Sequence, residues 1–548
     1  MPDHCLTVTS EQGAARLQFS PRFNLAAALI DRHLQEGRGD ALAIRTASED
    51  ISYALLSERV ARAGNALLAL GVPRDGRLLM VVRDEPAFFY LFLGAIRAGI
   101  VPIPVNTLLR AADYAWLIDD SAAHALAYSP EFAAEVSAGL RQARHHPGVI
   151  LPTAGEGEAL PKLMEAATPH LAPAERGPED YCFWLYSSGS TGRPKGAIHH
   201  QRDLAVVAQC YGVETLGVRP SDVFFSAAKL FFAYGLGNGL AFPLWVGGTS
   251  ILMPERPTPE ATFATIARFR PTIFFGVPTL FARQIAEFAR LKPDLSSLRF
   301  CVSAGEMLPA HLFTAWRELT GTEIIDGIGS TEMTHMYISN RPGEVRPGTT
   351  GRPVPGYEVK IVDEDGRQLP VGMPGRLLVR GLSVAKAYWR NPRPIVVDGW
   401  FDTGDTYRAN EDGTYTYAGR SDDMLKVGGI WCSPVEIESV LIEHPAVLEA
   451  AVVGRADADQ LIKPEAWIVL KDQDAPAPPG LAAELVQLCK TRLAPYKYPR
   501  WFRFVSDLPK TATGKIQRFK LRDRAPEATP ATAIESTGAP MPEARAPL

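Results

Sequence analysis

Y-S-S-G-S-T-G-R-P-K-G, residues 186–196, sets four Ser/Thr hydroxyls, three glycines, Arg193 and Lys195 into eleven positions. Gly, Ser and Pro dominate ordinary turns, so a solvent-exposed loop is one reading. The other is a loop that wraps phosphate. Glycines let the backbone approach an anion and present successive N–H groups to it. Ser187, Ser188, Ser190 and Thr191 add hydroxyl donors, and Arg193 and Lys195 add positive charge. The spacing departs from G-x-x-x-x-G-K-[ST], because Pro194 stands five residues after Gly189 and Gly196 follows Lys195. A P-loop nucleotidase therefore fits poorly.

On both sides of this loop, short apolar runs alternate with helical patterns. RLLMVV (77–82), VPIPVN (101–106), TIFFG (272–276) and RFCVSAGE (299–306) read as strands. FFYLFLGAIRAG (88–99), PTLFARQIAEFAR (278–290) and PAHLFTAWRELTG (309–321) read as helices. The alternation predicts parallel α/β sheets faced by helices. Such sheets bind ligands at the carboxyl ends of their strands. The glycine turns at Gly189, Gly305 and Gly329 each follow an apolar run and are expected to share one site. Beyond Arg352 the texture changes. EVKIVDEDGRQLP (358–370) holds a D-G turn, and RLLVRG (376–381) and TYTYAGR (414–420) are β-like, which predicts antiparallel structure. A further break falls at GRSDDMLK (419–426), followed by a region of about 100 residues, enough for a small domain. From Ala525 onward, 12 of 24 residues are Ala or Pro, the composition of a disordered tail. The expected division is a domain over 1–421, a second over 422–524 and a tail over 525–548.

Bulk properties exclude several classes. With 57 basic against 61 acidic side chains, the 548-residue chain has no basic excess, so no nucleic-acid partner is expected. Six cysteines, at 5, 182, 210, 301, 432 and 489, form no CxxC pair, which argues against a zinc site or disulfide framework. Reduced thiols point to the cytoplasm. The start, MPDHCLTVTSEQG, lacks the apolar core of a secretory signal. Leu230–Met253 carries no charge for 24 residues, long enough to cross a bilayer. Five glycines, Pro243 and Asn238 interrupt it, so a buried strand–turn–helix region beside an apolar pocket is expected, and no membrane partner.

Three more stretches bear on chemistry. In DGIGSTE (326–332), Thr331 offers a hydroxyl to phosphate and Glu332 a carboxylate to Mg2+, a hard cation that takes oxygen ligands. A helix start is the alternative for S-T-E. In FDTGD (401–405), Asp405 offers two oxygens to the ribose hydroxyls, against an N-cap or turn role. PKTATGK (509–515) presents Lys515 in a Gly/Thr-rich turn, against a solvated surface lysine.

Taken in order, YSSGSTGRPKG, DGIGSTE, FDTGD, GRSDDMLKVGGIWCSPVEIE and PKTATGK resemble the adenylate-forming superfamily of acyl-CoA synthetases, peptide-synthetase adenylation domains and firefly-type luciferases, across residues 20–525. Within it, FNLAAALIDRHL (23–34), IPVNTLLRAADYAWLIDDS (103–121) and AAKLFFAYGLGNG (227–239) are similar to benzoate-CoA ligases. The resemblance implies an α/β fold. Its large N-terminal domain has two α/β sheet subdomains and a small β-barrel-like one, and a small mobile α+β domain follows. It implies ATP, Mg2+ and coenzyme A, an aromatic acid as substrate, and an acyl-adenylate intermediate, and it leaves a homodimer open.

The resemblance also distributes roles. Ser187, Ser188, Gly189, Ser190, Thr191, Gly192 and Lys195 would hold the β- and γ-phosphates. Thr331 would meet phosphate and Glu332 Mg2+. Gly305, Glu306, Asp326, Gly327 and Ile328 would flank adenine, although many members carry an aromatic where Ile328 stands. Asp405, Tyr417 and Arg420 would bind ribose. Lys515 would bridge the carboxylate and the α-phosphate. Asp422 matches the hinge, about which Lys426, Gly428, Gly429 and Trp431 would swing in to line a pantetheine tunnel. Ala227, Phe232, Tyr234, Ala304, Gly305, His335 and Met336, beside Phe231, would form a compact apolar pocket for a flat ring, with His335 either touching the substrate carboxylate or standing as a satisfied wall residue. Benzoate fits this pocket, and 2-aminobenzoate, hydroxybenzoate or the loading of a carrier protein in trans are the alternatives.

Overall fold

The structure is a computed structural model that describes residues 2–11, 14–155, 159–187, 194–427, 430–457, 461–472, 476–494, 497–510, 516–522 and 532–533. The chain divides into two compact units. One comprises Met1–Thr403 and Arg408–Tyr417, the other Gly404–Tyr407 and Ala418–Leu548.

The larger unit is built on two sheets of parallel strands. Arg77–Val81 lies between Val101–Pro104 and Ala125–Tyr128, with Val149–Pro152 outermost. These strands read as continuous apolar runs because helices cover both faces of such a sheet. The helix Pro86–Ala98 shows how sequence sets the boundaries. Proline occupies its first turn, where no N–H is needed. Gly99 ends it at φ +81°, a left-handed cap that disfavours residues with a Cβ.

The second sheet has nine strands. Its parallel centre runs Ile324–Gly329, Phe300–Ser303, Ile273–Gly276, Val223–Ser226, Thr249–Ile251 and Leu42–Arg45. Met336–Ser339 extends it antiparallel beyond Ile324–Gly329. Its core packs Phe225, Ile251, Phe274, Phe281, Cys301 and Trp316. A three-stranded antiparallel sheet joins Tyr181–Ser187, Lys195–His200 and Ala387–Tyr388. The D-G turn sits where expected, in an antiparallel sheet containing Tyr357–Val362, Pro374–Gly381, Trp400–Ala409 and Val396–Val397.

The uncharged segment differs from expectation. It is not strand–turn–helix but a succession of short helical turns followed by a strand. Ala233–Leu236 runs into a π-helix at Gly237–Ala241 and then Phe242–Val246, before the strand Thr249–Ile251. Its lack of charge reflects burial, with Leu236, Leu240 and Phe242 fully buried. No helix among the described residues is long and apolar enough to cross a membrane. All six cysteines are free thiols, five of them buried.

The smaller unit pairs Val447–Ala456 with Ile462–Leu470, and Trp501–Phe504 joins in parallel. The helices Pro434–Ile442 and Leu481–Arg492 cover it through Ile437, Leu441, Leu485 and Cys489. Thr532–Ala533, within the stretch 525–548, pairs antiparallel with Trp501–Phe504, and the other residues of that stretch lie outside the described residues.

Candidate active site

Phe300–Ser303 and Ile324–Gly329 are parallel neighbours, with Ser303 opposite Asp326. Their carboxyl ends therefore bring Ala304, Gly305 and Glu306 alongside Asp326, Gly327 and Ile328. Asp326 is buried and accepts backbone N–H groups from Leu308 and Gly327, while its Oδ1 has no partner. Burial without a cation pushes its carboxyl well above the usual range.

The chain then turns sharply rather than starting a helix. Ser330 Oγ accepts from the Met333 N–H at 3.2 Å, and Thr334 N–H donates to Thr331 O at 3.1 Å. Thr331 and Glu332 are half-buried on this turn. The turn returns the chain antiparallel into Met336–Ser339, which is why S-T-E is not a helix start here.

Glu332 meets two other elements. The Tyr388 hydroxyl donates to Glu332 Oε1 at 2.7 Å. Burial, and then the Glu332 charge, raise the Tyr388 phenol, which keeps it protonated as a donor. The Lys195 Nζ lies 5.5 Å from the centre of the same ring, within reach of a cation–π contact. Tyr388 is brought there by its pairing with Ala197 on the strand that Lys195 begins. Nothing local in the sequence marks Tyr388, since its acceptor is 56 residues away. Ser187 pairs directly across from Lys195, so the strands that flank the small-residue loop are antiparallel neighbours. Ser188, Gly189, Ser190, Thr191 and Gly192 lie outside the described residues.

The other face of the turn is apolar. His335 packs against Tyr211, Tyr234 and Phe242 at centroid separations of 5.3, 5.6 and 4.8 Å. Its Nε2 lies 3.1 Å from Asn238 Oδ1 and 3.3 Å from Tyr234 O. A carbonyl only accepts, so Nε2 carries the hydrogen. Burial lowers the imidazole to about 3, leaving it neutral. A Cβ on Gly237 would fall 2.3 Å from His335 Cδ2, so the π-helical turn approaches this closely only through glycine. Tyr234 donates to Gly276 O and Val302 O, tying this wall to two strand ends. Ala227, Ala304 and Met336 are buried, and half-buried Phe232 packs 4.5 Å from Phe231. Asn238, which orients His335, was not legible as a site residue.

In the smaller unit, Asp405 Oδ1 pairs with Arg420 Nη1 at 3.0 Å. Asp405 lies within the strand Trp400–Ala409, not at a helix cap. Tyr417 is half-buried on the strand Tyr415–Arg420. Asp422 falls in a one-turn 3-10 helix, Ser421–Asp423. Lys426 and Trp431 pair across a hairpin whose Gly428 and Gly429 lie outside the described residues, as does Lys515.

The strand ends thus place Asp326, Gly327 and Ile328 alongside Ala304, Gly305 and Glu306, and the turn that follows carries the Thr331 hydroxyl and the Glu332 carboxylate ahead of the buried His335. The chain belongs to the AMP-binding enzyme family, whose profile matches residues 31–389, with the family's C-terminal domain matching residues 436–515. It is 48% identical over 511 residues to the benzoate–CoA ligase of Thauera aromatica, covering 92% of this chain and 97% of that protein. A crystal structure of a benzoate CoA ligase from Burkholderia xenovorans LB400 superposes with a TM-score of 0.84 at 46% identity, covering 91% of this chain and all of that one. The anthranilate CoA ligase AuaEII, solved in complex with anthranoyl-AMP, gives a TM-score of 0.88 at 42% identity, covering 92% and 97%.

Proposed function

We propose that this protein is an ATP-dependent aryl-CoA ligase of the cytoplasm that converts benzoate, ATP and coenzyme A to benzoyl-CoA, AMP and pyrophosphate. The observation that carries this reading is the 330–336 turn. One of its faces offers Glu332 and Tyr388 with Lys195, and the other a buried aromatic wall whose His335 is neutral. A carboxylate is a weak nucleophile toward a polyanion that repels it, so the site must screen charge on one side and seat a flat ring on the other.

In the first step a benzoate oxygen bonds to the α-phosphorus and the bond to the β-phosphate oxygen breaks, releasing pyrophosphate. Ser187–Gly192 and Lys195 would hold the β- and γ-phosphates, Thr331 a phosphate oxygen, and Lys515 the reacting oxygens. Among the described residues no cluster of three or more His, Cys, Asp or Glu could hold a metal ion. Mg2+ is bound through one or two carboxylates together with substrate phosphates and water. Glu332 is the residue that would hold it, and the ion supplies charge screening. Gly305, Glu306, Asp326, Gly327 and Ile328 would enclose adenine, and Asp405, Tyr417 and Arg420 the ribose.

In the second step the coenzyme A sulfur bonds to the acyl carbon and AMP leaves. Residues 422–524 would act as a mobile domain after the 1–421 domain, turning at Asp422. The Lys426–Trp431 segment, with Gly428 and Gly429, would then replace Lys515 beside the adenylate.

2-Aminobenzoate is the second reading, favoured by the likeness to the anthranilate ligase. One ring substituent in an apolar pocket changes discrimination by only about 1–3 kcal/mol. The test is to incubate the protein with MgATP and a panel of aryl and aliphatic acids, with and without coenzyme A. Benzoate-dependent AMP and benzoyl-CoA are expected. Turnover of medium-chain fatty acids with none of benzoate would overturn the assignment. Lys515→Ala should slow adenylation by ~10²–10³, the scale of losing one charge-directed donor, while thioester formation from supplied benzoyl-AMP persists. Equal losses in both half-reactions would remove Lys515 from that role.

A further inference from the structure

Behind the Thr331–Glu332 turn lies a buried polar cluster that the proposed chemistry leaves unused. The side chains of His199, on the strand Lys195–His200, and of Asp203 are fully buried. His199 Nδ1 lies 3.3 Å from Asp203 Oδ2 and 3.1 Å from Thr334 Oγ1. Thr334 Oγ1 gives its one proton to Ser383 O at 2.9 Å. It therefore accepts at the His199 contact, and the single Nδ1 hydrogen is shared between Thr334 Oγ1 and Asp203 Oδ2. The imidazole stacks on Phe183, centroids 4.7 Å apart and planes 12° apart, which fixes its orientation. Burial acts to raise the Asp203 carboxyl, but hydrogen bonds from His199 and His200 outweigh it and hold the carboxyl below its ordinary value.

Thr334 needs this support. It is β-branched and sits at φ +68°, a region such side chains rarely adopt. Its neighbours are held as well. Ala385 N–H donates to Glu332 O at 2.7 Å, and Ser383 Oγ donates to Met333 O at 2.7 Å. Three consecutive turn residues are thus tied to 383–385. The His199 bond adds a tie to the strand that begins at Lys195.

We propose that His199 and Asp203 form a positioning dyad for the adenylation step. Through Thr334 Oγ1 they set where Thr331 and Glu332 stand relative to the strand leaving the small-residue loop, and they touch no reactant. The proposal rests on the reading of that turn as part of the MgATP site.

Asparagine places an amide nitrogen near the position of Nδ1, and glutamine near that of Nε2. His199→Asn therefore keeps the link to Thr334 and His199→Gln breaks it. The expected result is that His199→Gln lowers kcat for benzoate-dependent ATP–pyrophosphate exchange by about ten- to a hundredfold, the scale of a misplacement near 1 Å. KM for benzoate and thioester formation from supplied benzoyl-AMP should stay close to wild type, and His199→Asn should recover most of the loss. Without any acid present, MgATP should raise the melting temperature less in His199→Gln than in His199→Asn. If neither histidine variant folds, Thr334→Val against Thr334→Ser decides, with the loss expected in valine and recovery in serine. Equal behaviour of the paired variants, or equal loss in both half-reactions, overturns the dyad. A wild-type protein that adenylates no acid removes the functional reading and the dyad together, whereas an active wild type with matched variants removes the dyad alone.

Discussion

On one side of the 330–335 turn, Glu332 is half-buried, accepts from Tyr388 and shares that ring with Lys195. On the other, His335 is enclosed by Tyr211, Tyr234 and Phe242, and its imidazole is pushed down to about 3. Asp326, at the strand end leading into the turn, is likewise buried, and burial pushes its carboxyl well above the usual range. Burial without a counter-charge disfavours the charged form of both groups. A few residues of chain therefore separate a half-buried carboxylate beside a phenol and an ammonium group from a buried aromatic wall.

The strongest way to break this comparison is Glu332→Gln. Adenylation should fall by ~10²–10³ in pyrophosphate exchange, and the Mg2+ needed for half-maximal rate should rise. If thioester formation from benzoyl-AMP falls as far, the charged face is not dedicated to the first step. A smaller effect is expected from Tyr388→Phe, which removes one hydroxyl from a carboxylate. Hydrogen bonds to charged groups are worth about 1.5–3 kcal/mol, and partial exposure places the loss at the low end, about tenfold in kcat for adenylation. An unchanged KM for benzoate would sharpen the division, and a raised KM with unchanged kcat would count against it.

The smallest effect concerns stability. Burial raises the Asp326 carboxyl in the folded chain, whereas the group ionises near ~3.9 when unfolded. The unfolded state then holds fewer protons, so this group lowers stability as pH rises above that value. Asp326→Asn copies the neutral form. Its melting temperature should match wild type near pH 4 and exceed it by a few degrees, roughly, at pH 8. A gap that is constant or shrinks with pH would show that Asp326 is ionised in the fold. His335 carries the opposite sign. Its folded value of about 3 lies below the unfolded ~6.5, so stability is lost as pH falls through that window.

Much of this was readable before any tertiary contact was known. The apolar runs at 77–82 and 299–306 are strands, and the helix read over 88–99 ends at Gly99. The 230–253 segment was read in the wrong order, because an uncharged run with five glycines has no period to separate strand from helix. The helix-start alternative at Ser330–Glu332 was also locally reasonable. It is displaced by the antiparallel return of Met336–Ser339, a pairing no local pattern announces.

By itself the sequence determined which chemical groups are available, in what order, and that parallel strands would carry them, since residue type and periodicity are local properties. Only the tertiary structure decided that Tyr388 reaches Glu332, that His199 reaches Thr334 across 135 residues, and that burial raises the Asp326 carboxyl and lowers the His335 imidazole. Ionisation and hydrogen-bond partnership depend on which groups surround an atom in space, and folding brings those groups from distant parts of the chain.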